Sequence, residues 1–245
     1  MVNESVRYKR QQIIKQVGID GQKKLRNAKV LVVGAGGLGS PILLYLSAAG
    51  IQNIGIIDYD VVDESNLNRQ VLYSTFDIGK MKVDRAKEKI QQLNTACKVV
   101  EYNMEVREEQ LQNIINHYDV VVEAVDNAET KYMINKVCVK NKKPAVFGSI
   151  KDFEGQVCVY MPNASACYEC IYPYNAVEKT ENGVIGAVAG IIGSLQALQT
   201  IKIILGLNVQ DTLLNFNGFN DKFQQIKISK NDSCRICGEH QRELL

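Results

Sequence analysis

The chain has 245 residues, 46% hydrophobic and 23% charged, with no tryptophan and four prolines, a composition suited to a soluble α/β protein with one large core. Its net charge of +2 excludes a global field that would recruit nucleic acid, and runs such as Lys140, Lys142 and Lys143 read as a solvated loop. The N-terminus has neither the apolar core of a signal peptide nor a lipidation motif, so a cytoplasmic protein is expected.

Residues 7–27 read as two short helices, with Ile13, Ile14 and Val17 on one face and a break at Gly18. They are expected to pack outside the sheet, with Arg7, Lys9 and Arg10 as a basic face. Residues 30–33 form a continuous apolar run, the pattern of a parallel strand covered on both sides. Gly34, Gly36 and Gly39 follow at G-x-G-x-x-G spacing, where that strand must turn into a helix beginning near Ser40 and Pro41. The free N–H groups of such a helix start suit phosphate. A second buried strand over 54–57 ends at Asp58, 19 residues after Gly39, where a carboxylate accepts hydrogen bonds from a ribose. Strand, glycines, helix and acid in this order predict a βαβ nucleotide site; the competing reading is a structural glycine-rich turn.

A polar loop follows from Asp60 to Tyr73 at the carboxyl edge of the sheet, then a helix over 80–92 with Val83, Ala86, Ile90 and Leu93 on its apolar side. A strand over 98–102, a helix over 111–115, a buried strand over 119–124, a helix over 130–139 and a strand over 144–147 complete the alternation. Antiparallel-type strands are then expected from 155, over 211–216 and over 223–228. Between them lie a thirteen-residue polar loop, 171–183, and an apolar stretch, 183–207. Ser194, Gln196, Gln199, Thr200 and Lys202 interrupt that stretch, which predicts a buried core helix in place of a membrane span. The fold class is therefore α/β: a Rossmann-like, mostly parallel sheet flanked by helices and extended by antiparallel strands in the C-terminal half.

A dinucleotide's pyrophosphate can be held by helix N–H groups alone, whereas ATP calls for side-chain cations and a metal-holding carboxylate. Arg69 follows the second strand, Lys82 starts the next helix and Asp126 ends the fourth strand, so all three can converge on one crevice. Against this, a lone loop arginine is by default a surface residue, and Asp126 can serve as an N-cap. Seven cysteines in a reducing compartment are not a disulfide framework. Cys97, Cys138 and Cys158 stand singly in apolar surroundings and read as core residues. Cys167 and Cys170, with Cys234 and Cys237, form two C-x-x-C pairs, the pattern of a tetrahedral Cys₄ zinc site, with redox chemistry as the alternative. His117 and His240 are the only histidines, both expected to be exposed, so no histidine-based triad is expected.

Several segments together resemble the MoeB/ThiF/HesA family, bacterial relatives of ubiquitin-activating enzymes: Arg-Tyr-Lys-Arg-Gln at 7–11, the glycine turn with Gly37, Asp58-Tyr-Asp60, the run from Asn66 to Gln70, residues 79–82, Asp126-Asn127, Gly193 to Ala197 and the paired C-x-x-C motifs. The resemblance runs over nearly the whole chain, in order. It implies a homodimeric adenylyltransferase that uses ATP with Mg²⁺ to activate the C-terminal Gly-Gly carboxylate of a small ubiquitin-like sulfur carrier, for molybdopterin or thiamin. It divides the single domain into N-terminal helices over 1–28, a nucleotide-binding half over 29–150 and a carrier-binding and zinc half over 151–245.

By the same resemblance, Asp58 holds the ribose, Arg69 and Lys82 the polyphosphate, and Asp126 the Mg²⁺. Asp60, Asn66, Gln70 and Asn127 line the nucleotide site, and Arg10 reaches into the neighbouring protomer. Cys167, Cys170, Cys234 and Cys237 hold structural Zn²⁺. Many relatives carry an arginine where this chain has Lys131, which puts a phosphate contact from that helix in question. ThiF-type members carry a carrier-linking cysteine where this chain has Lys179, so adenylation without a covalent carrier intermediate is expected, closer to MoeB. With the chain ending at Leu245, a separate sulfur donor is expected. No nucleic-acid or membrane partner is implied. An NAD-dependent oxidoreductase and a non-catalytic nucleotide-binding partner subunit are the competing functions, the first leaving Arg10, Arg69, Asp126 and the cysteine pairs without a role. Activation of a tRNA carboxylate is disfavoured by the weak net charge.

Overall fold

In the computed structural model, which describes residues 4–174 and 183–238, β1 (Lys29–Val33) is buried at every position after Lys29. It lies between parallel neighbours, β2 (Asn53–Asp58) on one side and β4 (Val120–Glu123) on the other. β3 (Lys98–Asn103) extends the sheet beyond β2, and β5 (Ala145–Lys151) extends it beyond β4, both in parallel. A turn at Asp152 and Phe153 reverses the chain into β6 (Glu154–Tyr160), and β7 (Thr212–Asn217) and β8 (Lys222–Lys227) follow, all antiparallel. The order is β3-β2-β1-β4-β5-β6-β7-β8. The strand order therefore diverges at β1, and the crevice above its carboxyl end is the place where open α/β sheets bind ligands.

Alternation along β1 sends Val30 and Val32 to one face and Leu31 and Val33 to the other. On the first face pack α3 (Gly18–Asn27), α4 (Gly39–Ala49), α5 (Lys82–Leu93) and α9 (Gly186–Leu205), through residues such as Leu25, Ile42, Val83 and Ile192. On the second pack α6 (Glu108–Ile115), α7 (Ala128–Lys140) and the short α8 (Tyr168–Ile171). The α/β class and the antiparallel extension agree with the sequence pattern. β5 runs four residues beyond its expected end because β6 pairs with it as far as Lys151.

Three expectations change. Ile13 and Ile14 do not form a packing face; both are exposed, and the N-terminal segment, with α1 (Glu4–Arg7) and α2 (Lys9–Gln12), is rooted by buried Tyr8, whose hydroxyl accepts from Asn94 Nδ2 at 2.9 Å. Leu93, expected on the apolar side of α5, is partly exposed at its last turn. α9 is a half-buried helix: Val188, Ile192, Gln196 and Thr200 are buried, whereas Ile191 and Leu198 are exposed. Among the described residues α9 alone is long and apolar enough to cross a membrane by length and composition; it packs against α4, β5 and β6. Cys97, Cys138 and Cys158 are buried, and His117 is exposed. His240 and Lys179 lie outside the described residues.

Candidate active site and cysteine cluster

The turn after β1 is possible because Gly34 takes φ of +99°, and a Cβ there would press to 2.5 Å on the Ala124 carbonyl at the end of β4. α4 then starts at Gly39, its N-terminus at the crevice. The loop that follows β2 folds back over the turn: a Cβ on Gly36 would lie 3.5 Å from Gln70 Nε2, and one on Gly37 would lie 3.5 Å from Arg69 Cγ and 3.6 Å from Ala189 of α9. Asn66 makes this possible through its carbonyl, which accepts the N–H groups of Arg69 (3.1 Å) and Gln70 (2.9 Å). The guanidinium of Arg69 donates to the Ser65 carbonyl at 3.1 Å and to Asn68 Oδ1 at 3.0 Å. Gln70 is buried and its Oε1 has no hydrogen-bond partner, an acceptor held beside the glycine turn.

Asp58 buttresses the same turn. One carboxylate oxygen accepts the Ala35 N–H at 2.7 Å and the other the Asp60 N–H at 2.9 Å. Burial pushes its carboxyl above the usual range, against the pull of those two bonds and of Lys82. Each oxygen retains lone-pair capacity for a ribose hydroxyl. Lys82, at the start of α5, is buried with its ammonium 2.8 Å from Asp60 Oδ2. Tyr73, which sequence reasoning missed, ties the two sides together: its hydroxyl reaches the Ala35 carbonyl at 2.8 Å and the Lys82 carbonyl at 3.4 Å.

Asp126 stands exposed at the end of β4. The cap of α7 is Asn127, whose Oδ1 accepts the Thr130 N–H at 2.8 Å, so Asp126 is free of that role, and no hydrogen bond or ion pair engages its carboxylate among the described residues. It shares a rim with Asp60 and Glu105: their charges, that of Asp60 first, push the Tyr59 phenol up. A carboxylate without a protein partner at the mouth of a phosphate-suited turn fits a hydrated Mg²⁺, which takes one or two carboxylates and keeps most of its water.

Arg10, expected at the site, and Lys131, whose phosphate contact the sequence leaves open, both lie elsewhere. Arg10 is exposed on α2, whose neighbour Gln11 donates to the Ala49 carbonyl at the far end of α4, about 16 Å of helix from the glycine turn. The chain does not bring Arg10 to its own site. Lys131 turns inward instead of toward phosphate: it is buried, 2.8 Å from Glu123 Oε2, because alternation along β4 points Glu123 into the interior.

Cys167 is the N-cap of α8 and Cys170 lies within it, and Cys234 and Cys237 follow β8. All four Sγ atoms lie within 4.8 Å of one another, with separations of 3.9 Å (Cys167–Cys170), 3.7 Å (Cys167–Cys234) and 3.4 Å (Cys170–Cys237). A tetrahedron of Zn–S bonds has edges of about 3.8 Å, so the donor set fits the metal. Amide groups also aim at sulfur, as thiolate ligands require: Asn135 Nδ2 lies 3.6 Å from Cys167, and the N–H groups of Asn231 and Ile236 lie 3.5 Å from Cys170 and Cys234.

The ThiF family model matches residues 8–236. The adenylyltransferase and sulfurtransferase MOCS3 of Culex quinquefasciatus is 43% identical over 246 residues, an alignment covering 97% of this chain and 56% of the mosquito protein. The sulfur carrier protein adenylyltransferase of Thermus thermophilus is 40% identical over 253 residues, covering 98% of this chain and 93% of the relative. This chain thus spans a little over half the length of the MOCS3 relatives and nearly all of the Thermus one. Among solved structures, E. coli MccB with ATP is similar in fold, with a TM-score of 0.84 at 24% identity over 94% of this chain and 74% of that one.

Proposed function

The chain belongs to the ThiF family, and from that premise we propose that it adenylates the C-terminal Gly-Gly carboxylate of a small ubiquitin-like sulfur carrier, at the expense of ATP, for sulfur transfer to molybdopterin or thiamin. The observation that carries this reading is the meeting of Arg69 and Gln70 over Gly36 and Gly37, with the Lys82 ammonium and the unengaged Asp126 carboxylate on the same sheet edge. A dinucleotide site has no use for that set of cations and acid.

The chemistry asks little beyond placement. A carboxylate oxygen of the carrier attacks the α-phosphorus, the bond to the bridging oxygen breaks, and pyrophosphate leaves with the electron pair. No general base is needed, which agrees with the absence of a histidine at this edge among the described residues. The N-terminus of α4, Arg69 and Lys82 meet the polyphosphate and Asp58 orients the ribose; Asp126 would hold Mg²⁺, which would supply neutralisation of phosphate charge. The carrier remains an adenylate, with no covalent link to a cysteine of this chain, and a separate protein donates sulfur.

The enzyme acts as a cytoplasmic homodimer. The position of Arg10 at the far end of α4 supports a role in the partner's site over its own. The outward apolar faces of α4 and α9, with Tyr45, Ile191 and Leu198, offer the contact surface. Structural zinc on the four cysteines secures the C-terminal segment. The test is Asp126→Ala: carrier-dependent exchange of pyrophosphate into ATP should be abolished while the dimer stays folded, and substantial residual exchange would remove the assigned role.

A further inference from the structure

We propose that the buried Glu123–Lys131 pair is a clamp that positions Asp126, so that two residues buried beneath the rim set the grip of this site on the divalent cation accompanying ATP. The inference deepens the adenylating reading and rests on it. Glu123 ends β4, Lys131 lies in the first turns of α7, and between them run only the residues that carry Asp126 to the rim and Asn127 to the helix cap.

Both ends of that link are pinned to one buried point. Glu123 is wholly inaccessible; its Oε1 accepts the Val125 N–H at 2.7 Å and the Lys131 ammonium at 2.9 Å. Its Oε2 accepts the same ammonium at 2.8 Å and lies 3.4 Å from the Gly148 N–H. Lys131 also donates to the Gly148 carbonyl at 2.5 Å, which joins the link to β5. From α9, Gln196 Nε2 donates to the Glu123 carbonyl at 2.6 Å. A Cβ on Gly148 would overlap the Gln196 side chain, so α9 packs directly on the strand to which the pair is bonded. The residue immediately before Asp126 is thereby held by its amide, and the helix that begins just after it is held by its lysine.

An ion pair is not needed to glue α7 to the sheet, since apolar side chains of similar volume do that as well or better. What a charged, directional network adds is a single arrangement of the backbone it bonds. Asp126 has no partner of its own among the described residues, so its location depends on this scaffold. The arrangement is that of groups behind a metal ligand, whose loss weakens metal affinity without touching the metal.

The full chain carrying both Glu123→Leu and Lys131→Met separates positioning from packing, because it removes the pair without leaving a buried charge. Three readouts are taken: thermal unfolding, amide hydrogen exchange across 125–127, and binding of a non-hydrolysable ATP analogue with and without Mn²⁺. Expected are a near-native unfolding midpoint and exchange at 125–127 faster by about tenfold or more. Mn²⁺ affinity in the nucleotide complex should weaken by about tenfold while metal-free nucleotide affinity stays unchanged. Native exchange and native Mn²⁺ affinity in this variant would overturn the clamp. Should the double variant not fold, Glu123→Met with Lys131→Leu redistributes the apolar volume, again without a buried charge, and is read in the same way. A native chain that binds no nucleotide would instead remove the adenylating reading, and the exchange measurement would still decide the clamp.

Discussion

Lys82 holds Asp60 twice: its ammonium lies 2.8 Å from Oδ2, and its main-chain N–H donates to the Asp60 carbonyl at 2.9 Å. The lysine is almost wholly buried and the aspartate half exposed, so the pair meets the crevice on the acid's side. Lys82→Met should therefore lower carrier-dependent pyrophosphate exchange on the order of 10²-fold, chiefly in kcat, as expected for loss of a cation aimed at developing charge. Stability should change by less than about 1 kcal/mol, because the orphaned aspartate faces water. Initial rates and thermal unfolding check both; exchange at native rates would remove Lys82 from the polyphosphate contact.

The first turn of α9 touches the loop that carries Arg69. A Cβ on Gly186 would overlap the Asn68 carbonyl and come within 3.1 Å of Arg69 Cα, so Gly186→Ala must push the helix off that backbone. The expected result is a loss of about 1–3 kcal/mol in urea unfolding from overpacking. Because Arg69 is displaced, KM for ATP should rise. Gly190, one turn later, has no neighbour within 4 Å of a would-be Cβ. Gly190→Ala should be stabilising by roughly 0.5–1 kcal/mol with unchanged KM. Equal behaviour of the two variants would dissociate α9 from the nucleotide loop.

The buried thiols bear on whether a covalent carrier intermediate forms. Burial pushes Cys97 up to about 11 and Cys158 up to about 12, and pushes Cys138 up as well. At pH 8 even Cys97 is thiolate about once in a thousand, and the thiolate is the nucleophile. Iodoacetamide applied to the native protein at pH 8 should leave all three unlabelled by peptide mass spectrometry. Incubation with carrier and ATP should yield no adduct on a non-reducing gel; labelling of Cys138 or an adduct mapped to it would restore a covalent route.

The glycine turn, Asp58 and the paired cysteines were legible because their chemistry demands particular residue types at particular spacings, and the structure brings each set together. Lys131 was not legible as a buried partner. A lysine near the start of a helix after Asp126 suits a phosphate or a carboxylate equally, and only the register of β4, which turns Glu123 inward, decides between them. Tyr73 carried no signal, since a loop tyrosine belongs to no period; its role arises from the two carbonyls that the fold brings to its hydroxyl. Ile13 and Ile14 misled because helical spacing identifies a shared face without showing that anything covers it.

The cysteine cluster joins segments separated by 63 residues, α8 on one side and the chain after β8 on the other. Other contacts across this junction include the Arg235–Glu169 ion pair, the Arg235 guanidinium 4.3 Å above the Tyr174 ring and the Asn231 N–H on Cys170 Sγ. Arg235 is half exposed against a buried Glu169, and solvent on the arginine's side weakens both of its contacts. The metal is therefore expected to supply most of the tethering, through ligands that must be thiolates, so that its binding free energy is also folding free energy for this corner. Cys234→Ser removes a buried ligand that lies 3.7 Å from Cys167 Sγ. It should lower zinc content from one ion per chain to a small fraction and reduce stability by at least ~2 kcal/mol, with the loop-closure entropy of a long segment as the physical source. Atomic emission and urea unfolding, with and without added Zn²⁺, measure the two effects. Native metal stoichiometry in the variant would show that the four sulfurs are not the zinc ligands.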